Sequence, residues 1–220
     1  MLEYGKYYHI YNKGINGMNI FTRKEDYNHF LDLMSVFLAP VADIYAYALM
    51  GNHLHIVIRI KENNEIGFLN PRYSDSDDIS LKWKTYSANT KNNTDTESLN
   101  KKPVPGNMIQ HMFNAYAQWF NKRHHRSGPL LKHPYDKKLV NNVYYLKRLI
   151  IYVHRNPVKH GFCDHPVEYG WTSYISLLSI KPSKLSRERV LGWFDDKANF
   201  KIVHNDRNDK FLDIMDLFLE

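Results

Sequence analysis

The chain has 220 residues, 43% of them hydrophobic and 14% aromatic, with 30 Lys or Arg against 23 Asp or Glu. That size and apolar content exclude a disordered chain and allow a core without disulfides or a structural metal. A single cysteine, Cys163, excludes a disulfide framework and points to a reducing, cytoplasmic setting. The first residues lack the apolar core of a signal peptide, and no apolar run approaches the ~18 residues that span a bilayer.

In chain order, Lys6 to Tyr11 alternates in a way that predicts a strand, with Tyr7, His9 and Tyr11 on one side and Tyr8 and Ile10 on the other. Asn12-Lys13-Gly14 and Asn16-Gly17 are turn chemistry. Thr22 with Glu25 three residues on reads as a capping box. Tyr27, Phe30, Leu31, Met34, Phe37 and Leu38 then recur at helical spacing up to Pro40. Asp43 to Met50 and His53 to Ile60 read as a hairpin closed by Gly51-Asn52. From about 63 to 104 lies a polar insertion whose 89–98 stretch has no hydrophobic period and is expected to be mobile. Leu81, Trp83 and Tyr86 mark a docked patch within it.

Helical spacing returns at Met108, Met112, Ala115, Tyr116, Trp119 and Phe120. An extended piece, Tyr135 to Val140, leads into a helix from Val143 that Pro157 is expected to stop at Asn156. An amphipathic tail helix carries Phe211, Leu212, Ile214, Met215, Phe218 and Leu219. The order strand, helix, strand, strand, helix, strand is the split-βαβ pattern. It predicts an α+β, ferredoxin-like antiparallel sheet with helices on one face and extra C-terminal helices. The main domain would occupy residues 1–180, and residues 181–220 would form a helical extension packed on it.

Charge is concentrated. Between Lys122 and Lys159 stand ten Lys or Arg and one acid, Asp136, a net +9; the remaining 20 basic and 22 acidic residues net −2. Such a run is either a solvated basic face or a phosphate-binding surface. On the second reading the candidate DNA-binding residues are Lys122, Arg123, Arg126, Lys132, Lys137, Lys138, Arg148 and Arg155, with tyrosines interleaved for stacking.

Within the strand Asn52-His53-Leu54-His55-Ile56-Val57-Ile58, period two sets His53, His55 and Val57 on one face and Leu54, Ile56 and Ile58 on the other. The second set suits a core; paired imidazoles suit a divalent metal, although two ordinary strand histidines would look the same. On the helix before Pro157, Tyr152 and Asn156 are one turn apart on a shared face with Arg148. A tyrosine there is either core with its hydroxyl at the rim or a nucleophile beside a metal ligand.

The segments Tyr8-His9-Ile10-Tyr11-Asn12-Lys13-Gly14, Tyr47-Ala48-Leu49-Met50-Gly51-Asn52-His53-Leu54-His55 and Tyr152-Val153-His154-Arg155-Asn156-Pro157-Val158 resemble the HUH-type single-tyrosine transposases. They are most like the branch associated with repetitive extragenic palindromes. Phe120-Asn121-Lys122-Arg123-His124 and Tyr169-Gly170-Trp171-Thr172-Ser173-Tyr174 are similar to that branch as well. The resemblance runs from about residue 4 to 178, interrupted by the insertion. It implies a nuclease domain that cuts and rejoins single-stranded DNA at hairpins through a 5′-phosphotyrosine. Tyr152 would be the nucleophile, His53 and His55 the metal pair, Asn156 a polar third ligand, and Mg²⁺ or Mn²⁺ the metal; the state is a monomer or a homodimer. The chain departs from the pattern at Pro134, where the branch has an arginine, so Lys132, Lys137 or Lys138 would have to supply the charge.

Two rivals remain. A ferredoxin-like sheet with exposed Tyr7, His9 and Tyr11 could bind single-stranded nucleic acid without catalysis, as RRM-type domains do, although no RNP-like motif is present. An inactivated transposase-like protein that only binds DNA belongs to the same class. Alternatively His160, Cys163 and His165 could join a zinc site, against their spacing.

Overall fold

The computed structural model describes residues 1–86 and 101–206. The elements are β1 (Tyr7–Lys13), α1 (Lys24–Leu38), β2 (Ala42–Met50), β3 (His53–Ile60), β4 (Phe68–Leu69), α2 (Ile79–Lys82), β5 (Thr85–Tyr86), α3 (Pro105–Arg123), β6 (Asp136–Val140), α4 (Val143–Lys159), α5 (Tyr174–Leu178), α6 (Arg187–Trp193) and α7 (Lys197–Asn205). Four strands form one antiparallel sheet in the order β2-β3-β1-β6. This is the α+β, ferredoxin-like arrangement that the split-βαβ order predicts. The expected hairpin is β2–β3, turning at Gly51-Asn52 as the sequence indicates.

Alternation along the strands decides what each face meets. Tyr8, Ile10, Leu54, Ile56 and Ile58 point into a core completed by Phe30, Met34 and Phe37 of α1 and by Met108, Met112 and Tyr116 of α3. The opposite face offers Ala46, Ala48, Met50 and Val57, and α4 lies across it with Leu146, Leu149, Ile150 and Val153. Phe194 of α6 and Phe200 of α7 close this second core. Helices therefore cover both faces: α1 and α3 one, and α4 with α5 to α7 the other. Small side chains at Ala46 and Ala48 leave room for a helix to sit down on the strands.

That cover removes the stacking platform that RRM-type binding needs. His9 is fully buried, and Tyr7 packs against Trp193 of α6 at 6.0 Å between ring centres. The outer edge of β2 is occupied too, by bridges from Ala48 to Thr172 and from Ile44 to Leu185.

The start of α1 differs from the expected capping box. Asp26, not Glu25, is the capping carboxylate: one oxygen accepts from Thr22 N, Thr22 Oγ1 and Arg23 N at 2.8–2.9 Å, and the other from His124 Nε2 at 2.8 Å. Glu25 points outward to an exposed pair with Arg123 at 3.8 Å. Asp26 is fully buried. Burial raises its pKa, but the hydrogen bonds from His124, Thr22 and Arg23 outweigh this and hold the carboxyl below its ordinary range. Asp26→Ala strips four donors of their acceptor and is expected to cost about 3 kcal/mol. Glu25→Ala should stay within about 0.5 kcal/mol. Urea midpoints of the two variants check the difference.

Pro157 does not stop α4. It stands inside the helix, which runs on to Lys159. A proline one turn from the end forfeits just one bond, the one its missing N–H would have given to the Val153 carbonyl. The true stop is Gly161, in the left-handed region at φ 72°. Gly161 N donates to Val158 O and Phe162 N to Pro157 O, the paired bonds of a Schellman terminus.

Trp83 of the insertion docks as expected, against Phe37 at 5.8 Å and His111 at 5.2 Å. The 89–98 stretch and the tail helix from Phe211 to Leu219 lie outside the described residues. Among the described residues no helix is long and apolar enough to cross a membrane.

Candidate active site

The hairpin turn and the C-terminal half of α4 meet over the α4-side face of the sheet. His53 and His55 project from β3 on that face, as their phase requires, and Tyr152 and Asn156 come down on them from α4 one helical turn apart. The His55 ring stands edge-on to Tyr152 at 5.8 Å. His53 Nε2 lies 3.2 Å from Asn156 Oδ1. His55, Tyr152 and Asn156 are each no more than 5% exposed. A cleft of about 710 Å³ opens beside them, lined by Tyr11, His53, His55, Lys132, Tyr152 and His160 among others.

Hydrogen bonds orient both imidazoles from behind. Asn52 Oδ1 accepts from His53 Nδ1 at 2.7 Å, so in the neutral ring Nε2 carries the lone pair. That lone pair faces the carbonyl oxygen of Asn156. Two acceptors 3.2 Å apart cannot satisfy each other, but the spacing matches neighbouring ligand atoms of an octahedron with bonds of about 2.1 Å, whose edge is about 3 Å. Asn156 Nδ2 is buried without a hydrogen-bond partner, so with no ion bound the amide would gain a bond to His53 Nε2 by turning its nitrogen inward; the oxygen-inward orientation is the one a metal needs.

His55 Nδ1 is held by His9 Nε2 at 2.9 Å, which leaves Nε2 as the remaining nitrogen of His55. Burial, and then the neighbouring His9 and other cations, keep the His55 pKa well below its ordinary value. Burial and Lys138 push His9 down to about 3. Both rings are neutral at pH 7, the form that binds metals. Among the described residues no three His, Cys, Asp or Glu side chains gather closely enough to hold a metal. The residues that could hold one are therefore His53, His55 and the Asn156 amide oxygen, with His9 fixing His55 from the second layer.

The fold is shared with a tyrosine transposase. A solved structure described as a REP-associated tyrosine transposase bound to a REP hairpin superposes with a TM-score of 0.50. It is 14% identical, and the match covers 83% of this chain and 89% of that one. No protein-family model matches the sequence, and neither does any curated protein. The likeness to the transposase is one of architecture: a distant structural relationship.

The basic residues are less concentrated in space than in sequence. Lys132 borders the cleft, bound to Asp136 at 3.0 Å, and Lys138 sits on the same face of β6 close enough to depress His9. Lys137 points to the other face, over the Tyr135 ring at 5.9 Å. Lys122 and Arg123 end α3, behind the sheet, where Arg123 lies over Trp119 at 5.5 Å. Arg126 donates to Asn121 and to Pro129 O, bracing its own loop. Arg148 lies over Tyr144 at 5.4 Å, one turn before Tyr152 on α4. Arg155 turns away from the histidine pair, donates to Asp206 O and borders a separate cleft.

The zinc alternative does not assemble. His165 accepts from Val167 N with Nδ1 and donates to Asn205 Oδ1 with Nε2, leaving no nitrogen for a metal shared with Cys163.

Two features escaped the sequence reading. His160 reaches the cleft, its ring 5.0 Å from His53; it follows Asn156 by one more turn, so extending the Tyr152–Asn156 face would have found it. The other is a hydrogen-bonded chain on the far side of α4. Tyr47 N donates to Ser173 Oγ at 2.9 Å, and Phe200 O accepts from His204 Nδ1 at 2.7 Å. Those fixed ends order the protons between them. Ser173 Oγ donates to His154 Nε2 at 2.7 Å, and His154 Nδ1 to His204 Nε2 at 2.9 Å. The chain ties β2, α5, α4 and α7 together within two residues of Tyr152 and Asn156, and nothing in local sequence pairs residues 154 and 204.

Proposed function

We propose that this protein is a metal-dependent, single-stranded DNA endonuclease and strand transferase acting at hairpins, with Tyr152 as nucleophile. The observation that carries the reading is the convergence on one cleft of Tyr152, His53 and His55, with Asn156 Oδ1 buried against His53 Nε2. The distant likeness to a transposase bound to a DNA hairpin agrees with it. So does the basic segment that supplies α4 and Lys132.

His53, His55 and Asn156 would hold Mg²⁺ or Mn²⁺, which supplies Lewis-acid polarisation of the scissile phosphate. The amide oxygen with added water suits either ion, and of the two the pair of imidazoles favours Mn²⁺. Asn52 keeps His53 in the tautomer that presents Nε2, and His9 fixes the orientation of the His55 ring. Tyr152, fixed on a helix that is clamped on both sides, holds its phenol oxygen at the cleft. That oxygen attacks phosphorus, its proton goes to solvent or a neighbouring base, and the P–O3′ bond breaks. The leaving 3′-oxygen takes up a proton, and the 5′-phosphate stays on Tyr152. Attack by another 3′-hydroxyl reverses the step and joins strands without ATP. Lys132 and Lys138 would grip flanking phosphates in place of the arginine that Pro134 replaces.

Hairpin oligonucleotides taken from repeats flanking the protein's own gene, labelled at either end, test this on denaturing gels. The expected result is an adduct on the 3′-side fragment that needs Mn²⁺ or Mg²⁺ and is lost in His55→Ala. Tight, salt-sensitive binding with no adduct on such a hairpin would overturn the nuclease reading in favour of DNA binding alone.

A further inference from the structure

We propose that the cleft beyond the end of α4 is a pocket for one unpaired nucleobase of the cleaved strand. It rests on the nuclease reading above. This cleft, of about 580 Å³, is separate from the one at the histidine pair, yet both share one wall, the side chain of Phe162. Phe162 is 52% exposed, with the Tyr169 ring 5.8 Å from its own. The Schellman turn at Gly161 fixes its backbone, so the ring stands at the boundary between the two clefts rather than on a free loop.

The walls suit a base. Phe162 and Val158 offer an apolar side, and a ring stacking on Phe162 tolerates any base because all have a π-face. The polar side is lined by Arg155, Asn205 and Glu168, two donors and an acceptor. Arg155 gives one N–H to Asp206 O and keeps others. Asn205 uses its carbonyl oxygen on His165, which leaves its NH₂ as a donor. Glu168 accepts from Asp164 N and His165 N through Oε2, leaving Oε1 as an acceptor. Donors and an acceptor side by side match the mixed edge of a nucleobase and not a phosphate, which offers acceptors alone. A strand whose scissile phosphate sits at Tyr152 would reach Phe162, since both residues line the first cleft and Phe162 lines the second as well. A base turned out of its stack there enters the second cleft. The cleft thereby sets which nucleotide flanks the cut, a task that the histidine pair cannot perform because it meets only phosphate.

The test uses the full chain carrying Tyr152→Phe, so that nothing is cleaved. The probes are the same hairpin oligonucleotides with an abasic nucleotide placed in turn at each unpaired flanking position. With Phe162 intact, one position is expected to weaken binding about ten-fold when abasic. With Phe162→Ala that position should cost less than two-fold, while Phe162→Trp should restore the cost. Matched melting curves establish that the variants are folded. If the abasic penalty at every position is the same with and without Phe162, the pocket is overturned and the nuclease reading stands. If hairpins bind no better than scrambled single strands, the nuclease reading falls and takes the pocket with it.

Discussion

Tyr152→Phe is expected to abolish the covalent DNA adduct, by at least about a thousand-fold, while hairpin affinity changes less than about two-fold. The substitution removes one oxygen from a ring that is 4% exposed and leaves its edge-on packing against His55 in place. The fold and the side chains of His53, His55 and Asn156 stay as they were, so the loss reports chemistry. Tyr11 is the competing phenol, since its ring lies 6.2 Å from His55 in the same cleft. Burial, then Asp136, raise the Tyr11 pKa and make it a reluctant phenolate. It also projects from β1 with no amide one turn away. Tyr11→Phe is therefore expected to retain the adduct. An adduct that survives in Tyr152→Phe and disappears in Tyr11→Phe would reassign the nucleophile.

Mild acid should unfold the metal-free protein. His9, His55, His154 and His204 are all buried, and burial is the first cause of the low pKa of each. For His9 and His204 the value falls to about 3. In the unfolded chain the same rings protonate near pH 6.5. Below that point the unfolded state binds more protons than the folded one. Stability is then fully present above about 6.5 and lost as pH falls toward 3. Each ring that stays neutral costs about 1.4 kcal/mol per pH unit in that window, or about 2 kcal/mol by pH 5. Several such rings weigh heavily against a total stability of about 5–15 kcal/mol. Asp26, whose pKa is depressed, loses its contribution only in the carboxylate range and does not contaminate the interval above pH 5. Urea midpoints at pH 7, 6 and 5 in a chelator should fall steeply. A flat profile would mean that these rings take up protons in the folded state.

What the sequence made legible follows from local rules. The β2–β3 hairpin and the phase of His53 and His55 are period-two facts, readable wherever a strand has one core face. The face shared by Tyr152 and Asn156 is a period-3.6 fact of the same kind. What stayed hidden depends on distant partners. That His9 would hold His55 needs the register of β1 on β3, which sets Tyr11 opposite His55 and His9 opposite Val57. That Asp26 rather than Glu25 would cap α1 depends on His124, 98 residues away, turning the carboxylate inward. Arg155 looked like one more cation beside Tyr152. Its place three residues on rotates it off the Tyr152–Asn156 face and toward α7. Pro157 misled because the rule about residues before proline is one of preference, and tertiary packing of α4 on the sheet outweighed it.

Among the described residues, the bridges from Thr172 and Leu185 onto β2 leave the sheet with one unpaired rim, on β6. There Asp136, Lys137 and Lys138 fill the first three of just five positions, and Leu139 is 44% exposed. A short rim that bears charge is a poor template for adding another strand. Cutting the chain before Thr172 would free the long, apolar β2 instead, nine residues from Ala42 to Met50. A protein shortened in that way should assemble edge to edge and precipitate. The return of the chain over β2 therefore keeps the sheet from growing by strand addition.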